Sequence, residues 1–266
     1  MFGFTTGQRS ASGEYRDDNQ DSLYASRWSA FVADGVGGHA GGDVASATVT
    51  IRIAATLDAT HGRLTSDERL RELIAVANSD LAIRAQHDPQ LAGLATTLTG
   101  VFSDGSSIRI AHLGDSRAYR VRNGRVTQMT RDDSLVQDLV DAGKLTAEEA
   151  QSHPYRSVVM QVLTGSADDA VALHIGSDVP QAGDRWLLTS DGLTDYVPEA
   201  VVFDCLTRAA APQEIADLLV ETAIAMQARD NVSVIVADVV DLTGEPPYEP
   251  VFGGSAALDP ASVRGL

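Results

Sequence analysis

Short apolar runs recur along the chain at strand length, each closed by turn-forming residues. They are Ser29–Asp34, Thr97–Phe102, Ile108–Leu113, Ala118–Val121, Val126–Met129, Arg185–Thr189 and Val232–Val240. Asn123-Gly124 separates two of them, and because both residues tolerate positive φ the pair predicts a tight hairpin. Three segments carry a helical period instead. Asp43–Leu57 follows a glycine-rich turn. Asp67–Gln86 sets Leu70, Leu73, Ile74, Ala77 and Leu81 on one face behind a Thr65-x-x-Glu68 capping box. Gln213–Gln227 follows Pro212 and aligns Ile215, Leu218, Leu219 and Met226. Helices grouped between sets of short strands, one pair joined by a two-residue hairpin, predict an α+β fold with mainly antiparallel sheets.

Two stretches break the pattern. Residues 131–156 form a polar, partly helical insert in which Thr146-x-x-Glu149 is a second capping box. From residue 242 the chain holds four of its nine prolines and no periodicity, so a folded domain over 1–241 and a disordered tail over 242–266 are expected. No apolar stretch approaches the length of a spanning helix, and Met1–Arg9 lacks the layout of a signal peptide. Cys205 is the only cysteine, which excludes an internal disulfide and a thiolate metal cluster. A cytoplasmic monomer is the default expectation.

Twenty Lys and Arg against 37 Asp and Glu leave a net charge of −17, which argues against nucleic acid or an anionic membrane as partner. The acids are 27 Asp and only 10 Glu, an excess of the shorter carboxylate that a site for hard divalent cations could use. Their placement carries more information. Asp34 ends the run SAFVAD, Asp115 lies two residues beyond IRIAHL, Asp191 ends WLLTSD, and Asp230 stands just before VSVIVADVV. Each lies at the tip of a buried strand, where a rigid scaffold meets water. For all four to meet, the strand after Asp230 must run opposite to the others. Converging carboxylates repel and resist ionising together, and Mg²⁺ or Mn²⁺ resolves that conflict. An Asp-Gly pair after an apolar run is also an ordinary turn, as Asp104-Gly105 is expected to be, since a strand resumes at once beyond it. For Asp34 and Asp191 both readings stay open, and for Asp115 and Asp230 taken alone the plain reading is favoured. Gly35-Val-Gly37-Gly-His-Ala40 also fits a dinucleotide fingerprint, but Asp34 would set a carboxylate beside the pyrophosphate and no acidic residue ends a second strand some 20 residues on.

Six segments in order, RDDNQDS (Arg16–Ser22), ADGVGGHAGG (Ala33–Gly42), ATTLT (Ala95–Thr99), HLGDSRAY (His112–Tyr119), TSDGLTD (Thr189–Asp195) and RDNV (Arg229–Val232), resemble the bacterial metal-dependent phosphatases of the protein phosphatase 2C type. The resemblance implies a central antiparallel β-sandwich flanked by pairs of helices, with Mn²⁺ or Mg²⁺ held as two ions at one end and a third position nearby. It implies hydrolysis of phosphoserine and phosphothreonine in proteins by a metal-activated water, opposing Ser/Thr kinases. Asp34 would bridge both ions and the Gly35 carbonyl would bind one. Asp191 and Asp230 would complete the other, and Asp115 with Asp191 would hold a third. Asp21 would act through water, Arg16 would grip the substrate phosphate, and His39 would either protonate the leaving oxygen or serve structurally. Gln20 departs from the Glu of many relatives, which implies slightly weaker metal binding. Residues 131–156 take the place of the family's flap, with Ser134 there as a helix cap. A non-catalytic phosphoprotein-binding regulator of the same fold is the alternative, and the full set of Arg16, Asp34, Asp191 and Asp230 speaks against it.

Overall fold

The computed structural model describes residues 1–36, 41–59, 64, 66–242 and 250–258. The chain opens with β1 (Phe2–Ala11), β2 (Ser22–Ala25), β3 (Ser29–Ala33) and the short β4 (Gly35–Val36), then helices α1 (Gly42–Ala59) and α2 (Asp67–His87). A 3₁₀ turn at Pro89–Leu91 leads into β5 (Ala95–Thr96), β6 (Leu98–Ser103), β7 (Ile108–Leu113), β8 (Arg117–Arg122) and β9 (Arg125–Gln128). Helices α3 (Leu135–Asp141), α4 (Ala147–Gln151) and α5 (Ala167–Ala172) separate these from β10 (His174–Asp178) and β11 (Arg185–Thr189). Then come α6 (Asp191–Thr194), α7 (Glu199–Leu206), α8 (Pro212–Ala225) and the long β12 (Val232–Asp241), followed later by β13 (Val251–Gly254) and α9 (Ser255–Leu258).

Two sheets stack, in the orders β1-β12-β11-β8-β9 and β10-β7-β6-β3-β2-β13, with β4 and β5 as a separate ribbon. Every strand pairing described is antiparallel. Among the described residues that topology leaves no parallel sheet for a dinucleotide fold. Trp186, Leu188 and Ile235 from one sheet meet Leu23, Val32 and Val101 from the other in the layer between them. Ile53, Ile74 and Leu81 of α1 and α2 cover the outer face around Phe31 and Phe102. Val202, Ile215 and Leu219 of α7 and α8 cover the opposite face at Val234 and Val236. The result is the expected α/β/β/α sandwich, and each fully buried aliphatic side chain in it contributes roughly 1.5–3 kcal/mol. VSVIVADVV carries an unbroken apolar run, Val234–Ala237, because both faces of β12 are covered there: Val234 and Val236 turn to the helices, Ile235 and Ala237 to the other sheet.

Local signals hold at several points. Asn123 and Gly124 join β8 to β9 with φ of 53° and 74°. Asp104-Gly105 is a plain turn into β7, as expected. Thr146 and Glu149 cap α4 reciprocally, and Ser134 caps α3 by accepting from Gln137 N–H. At α2 the observed cap is Ser66, one residue on from the Thr65 of the predicted box, with Arg69 N–H as donor. Thr65 itself lies outside the described residues. The expectation of a disordered tail does not hold for 250–258. Val251–Gly254 pairs with β2, and Ala256 is fully buried against Ala47 and Ile51. Backbone pairing to an open sheet edge supplies the order that composition alone did not signal.

Candidate metal centre

Four strand ends bring four aspartates to one end of the sandwich. Asp34 follows β3, Asp115 lies just past β7, Asp191 follows β11, and Asp230 precedes β12. Because β12 is antiparallel to β11, with Thr189 opposite Val234, its entry lies beside the exit of β11, which is the reversal the sequence required. Thr97 ties two of the tips together. Its N–H donates to the Asp34 carbonyl at 2.8 Å, its hydroxyl accepts from Asp34 N–H at 3.0 Å, and the same hydroxyl meets Ser116 Oγ at 2.9 Å, next to Asp115. Gly35 packs so closely under Gly42 and the Gln20 carbonyl that a Cβ there would collide with both. Its N–H donates to that Gln20 carbonyl at 3.2 Å.

A fifth carboxylate, Asp21, arrives from the loop between β1 and β2 and is fully buried. Ser190 Oγ donates to its Oδ2 at 2.9 Å, while its Oδ1 has no hydrogen-bond partner. An orphaned carboxylate oxygen in such a place asks for a cation. Burial drives the Asp34 carboxyl well above the usual range, and Asp21, Asp191, Asp115 and Asp230 push it further. Asp191 is raised in the same way, first by burial and then by Asp115, Asp195 and Asp230. Burial, with Asp132 and Asp195, lifts Asp115 to about 7. Burial lifts Asp21 to about 6 even though Ser233 and Ser190 hydroxyls favour its charged form. These five acids therefore share one electrostatic site. Its donors are all oxygen and mostly anionic, a set that suits Mg²⁺ or Mn²⁺ and not zinc.

Among the described residues no three His, Cys, Asp or Glu side chains form a closed metal cage. Some of their oxygens are engaged elsewhere. Arg16 Nη2 donates to Asp230 Oδ2 at 2.8 Å, and Asn231 N–H donates to Asp230 Oδ1 at 2.9 Å. Arg16 is half-exposed at the rim, where an incoming anion can reach it. Asp34, Gly35, Asp115, Asp191, Asp230, Asp21 and Arg16 are thus assembled at one end of the fold, while His39 lies outside the described residues.

Sequence reasoning passed over the residues that hold this set in place. Asn231 accepts from Gln20 N–H at 2.8 Å and donates to the carbonyls of Ser12 and Asp18, fastening the loop that carries Asp21 and Arg16 to the start of β12. Ser190 links that loop to β11. Both adjoin a strand-tip aspartate in sequence, which is the signal that could have found them. Beside Asp115 and Asp191 opens a cavity of about 350 Å³ between the insert and α6 and α7, reached by Arg117, Asp132, Arg156 and Tyr196. Arg156, at the end of the insert, donates to Asp195 Oδ2 at 3.3 Å.

Known proteins bear on this arrangement. The family model described as Protein phosphatase 2C matches residues 8–222. The chain is 40% identical over 259 residues to the serine/threonine protein phosphatase PstP of Mycobacterium tuberculosis, covering 94% of this chain and 48% of that protein, so it spans about half the relative's length. It is 34% identical to the serine/threonine phosphatase Stp of Listeria welshimeri, covering 78% of this chain and 82% of that one. Among solved structures, the catalytic domain of PstP in complex with two manganese ions superposes with a TM-score of 0.82 at 38% identity, covering 91% of this chain and all of that one. With the strand-tip aspartates and the four-layer sandwich, these matches lead to one conclusion: the chain belongs to the protein phosphatase 2C family.

Proposed function

We propose that this chain is a divalent-metal-dependent phosphatase that removes phosphate from phosphoserine and phosphothreonine in proteins, opposing Ser/Thr kinases. The observation that carries this reading is the convergence of Asp21, Asp34, Asp115 and Asp191, whose carboxyls are pushed up by burial and by their acidic neighbours, beside Asp230 and with Arg16 at the rim. The relatives' names as serine/threonine phosphatases, and the two manganese ions of the PstP structure, support it. The catalytic domain is 1–241, completed by the strand Val251–Gly254 on the edge of β2, with 131–156 as a flap beside the site, acting as a monomer in the cytoplasm. Among the described residues no helix is long and apolar enough to cross a membrane.

In this reading Asp34 and the Gly35 carbonyl, with Asp191 and Asp230, would hold two ions, Asp21 would act through water, and Asp115 with Asp191 would hold a third. The chemistry that Mn²⁺ or Mg²⁺ supplies at such a site is activation of water and neutralisation of phosphoryl charge. Arg16 meets the phosphate with a planar fork of donors, orienting it for in-line displacement. Occupying Arg16 with phosphate releases Asp230 Oδ2, so substrate binding and carboxylate availability are coupled through one contact. The cavity between the insert and α6 and α7 receives residues flanking the phosphorylated side chain. Cys205 is buried in the core away from this set and plays no nucleophilic part.

The test is phosphate release from a phosphothreonine peptide with Mn²⁺, with EDTA, and with Asp191→Asn. Release that needs Mn²⁺ and collapses in the variant is the expected result. Release that survives both treatments overturns the site. A folded chain that binds the peptide and releases nothing is a non-catalytic regulator.

A further inference from the structure

The C-terminal segment Val251–Ala256 lies outside both the matched family region and the domain expected from sequence, yet it touches the candidate site. Strand β13 takes the open edge of β2, with Val251 opposite Ala25 and Gly254 opposite Ser22. Phe252 seats it by meeting the Tyr24 ring edge-on at 5.3 Å. At Gly254 the chain turns with φ of 62°, passing so close to the Asp21 carbonyl that a Cβ would strike it. Three bonds then reach the loop that carries Asp21. Ser255 N–H donates to the Asp21 carbonyl at 2.8 Å, Ser255 Oγ donates to the Asn19 carbonyl, and Ala256 N–H donates to Ser22 Oγ at 3.2 Å. The same loop is fastened from the other side by Asn231 on Gln20 N–H and by Ser46 Oγ on the Gln20 carbonyl.

We propose that the turn Gly254–Ser255 is a positioning element for Asp21: clamped from behind, the Asn19–Ser22 loop holds that carboxylate in the acidic cluster. Edge cover alone needs only the strand pairing. The turn goes further, spending the N–H and the hydroxyl of Ser255 on the carbonyls of Asp21 and Asn19, the two residues that flank Gln20, while Gly35, beside Asp34, hangs on the Gln20 carbonyl. Loosening Ser255 therefore loosens two carboxylate-bearing segments together. The inference rests on the metal-centre reading for its consequence, and on geometry alone for the clamp.

Two measurements on the full chain test it, comparing the unaltered protein with Ser255→Ala, Ser255→Thr, Gly254→Val and, at the far exposed end of β13, Val251→Thr. The first is amide exchange by NMR without metal. Ser255→Ala and Gly254→Val speed exchange at Asp21 and Gly35 but not at Val101 or Ile110 in the core. The second is Mn²⁺ affinity by calorimetry. Ser255→Ala weakens it about fivefold to tenfold, the scale of one hydrogen bond, Ser255→Thr restores it, and Val251→Thr leaves it unchanged. Unchanged exchange and affinity in Ser255→Ala and Gly254→Val overturn the proposal. A fall in melting temperature with affinity intact reduces the segment to edge cover and overturns it as well. Should the unaltered chain bind no Mn²⁺, the metal-centre reading fails, and the exchange data still decide whether the clamp exists.

Discussion

Arg16 and Asp230 form an ion pair of 2.8 Å in which a rim guanidinium holds a carboxylate that also faces Asp34 and Asp191. The pair is partly open to water, so its own stabilising value is small. Its importance lies in what each partner does when the other leaves.

Arg16→Ala is expected to raise the KM for a phosphopeptide and to lower kcat/KM about 10–100-fold, the scale of a charged hydrogen bond. Mn²⁺ affinity stays within a few-fold, because Asp230 is freed, not lost. Arg16→Lys recovers part of the loss, since a point charge replaces a fork. Steady-state kinetics at saturating Mn²⁺ read this out, and an unchanged KM would show that Arg16 does not meet substrate.

Asp191→Asn pulls activity and stability in opposite directions. Losing a charge-stabilising group lowers kcat by about 10²–10³-fold. Removing one of several repelling, desolvated acids raises the melting temperature of the metal-free protein. Calorimetry in EDTA beside an activity assay checks both, and a lower melting temperature contradicts the electrostatic account.

The cluster also fixes a pH dependence. Asp21 and Asp115, raised to about 6 and about 7, hold protons in the folded state at pH values where the unfolded chain has released them. Their contribution to the stability of the metal-free protein therefore falls as pH climbs from about 4, the ordinary Asp value, through 7, and Asp34 and Asp191, raised as well, act in the same direction. Adding Mn²⁺, which favours the charged forms, raises the melting temperature more at pH 7.5 than at pH 5. Thermal scans across that range with and without Mn²⁺ measure the difference.

Asn231→Ala removes the acceptor of Gln20 N–H and the donor to the Ser12 and Asp18 carbonyls. A destabilisation of about 1–3 kcal/mol is expected from leaving those groups unpaired. Mn²⁺ affinity drops as well, because the anchored loop carries Asp21. Denaturant unfolding without metal isolates the first effect from the second.

What could be read from the sequence follows the physics of burial. Asp34 and Asp191 stood out because each ends a run whose two faces are covered, so the apolar pattern stops abruptly at the carboxylate. Asp21 had no such marker and was found only by resemblance, since it lies between two strands that the pattern did not show. Strand β1 has little apolar alternation after Phe4, because several of its later positions are half-exposed polar residues. Strand β2 is four residues long and fully buried, too short to display a period. Helices α1, α2 and α8 and the NG hairpin were legible because spacing or turn chemistry fixes them locally, whereas α7, only eight residues long, was not read. β13 was not, because nothing in VFGG competes with the prolines before it until the edge of β2 is present to bind it.

Strand β1 has one further consequence. Its partner β12 comes at the far end of the domain, with Phe2 opposite Asp241 and Ala11 opposite Val232. During translation the first strand emerges long before the residues that will cover it. At about 5–20 residues per second the wait is roughly 10–50 s. Over that interval the nascent chain exposes an unpaired strand, and the opposing tips of β11 and β12 cannot meet. The acidic end of the molecule is therefore completed last, once the ribosome has delivered nearly the whole domain.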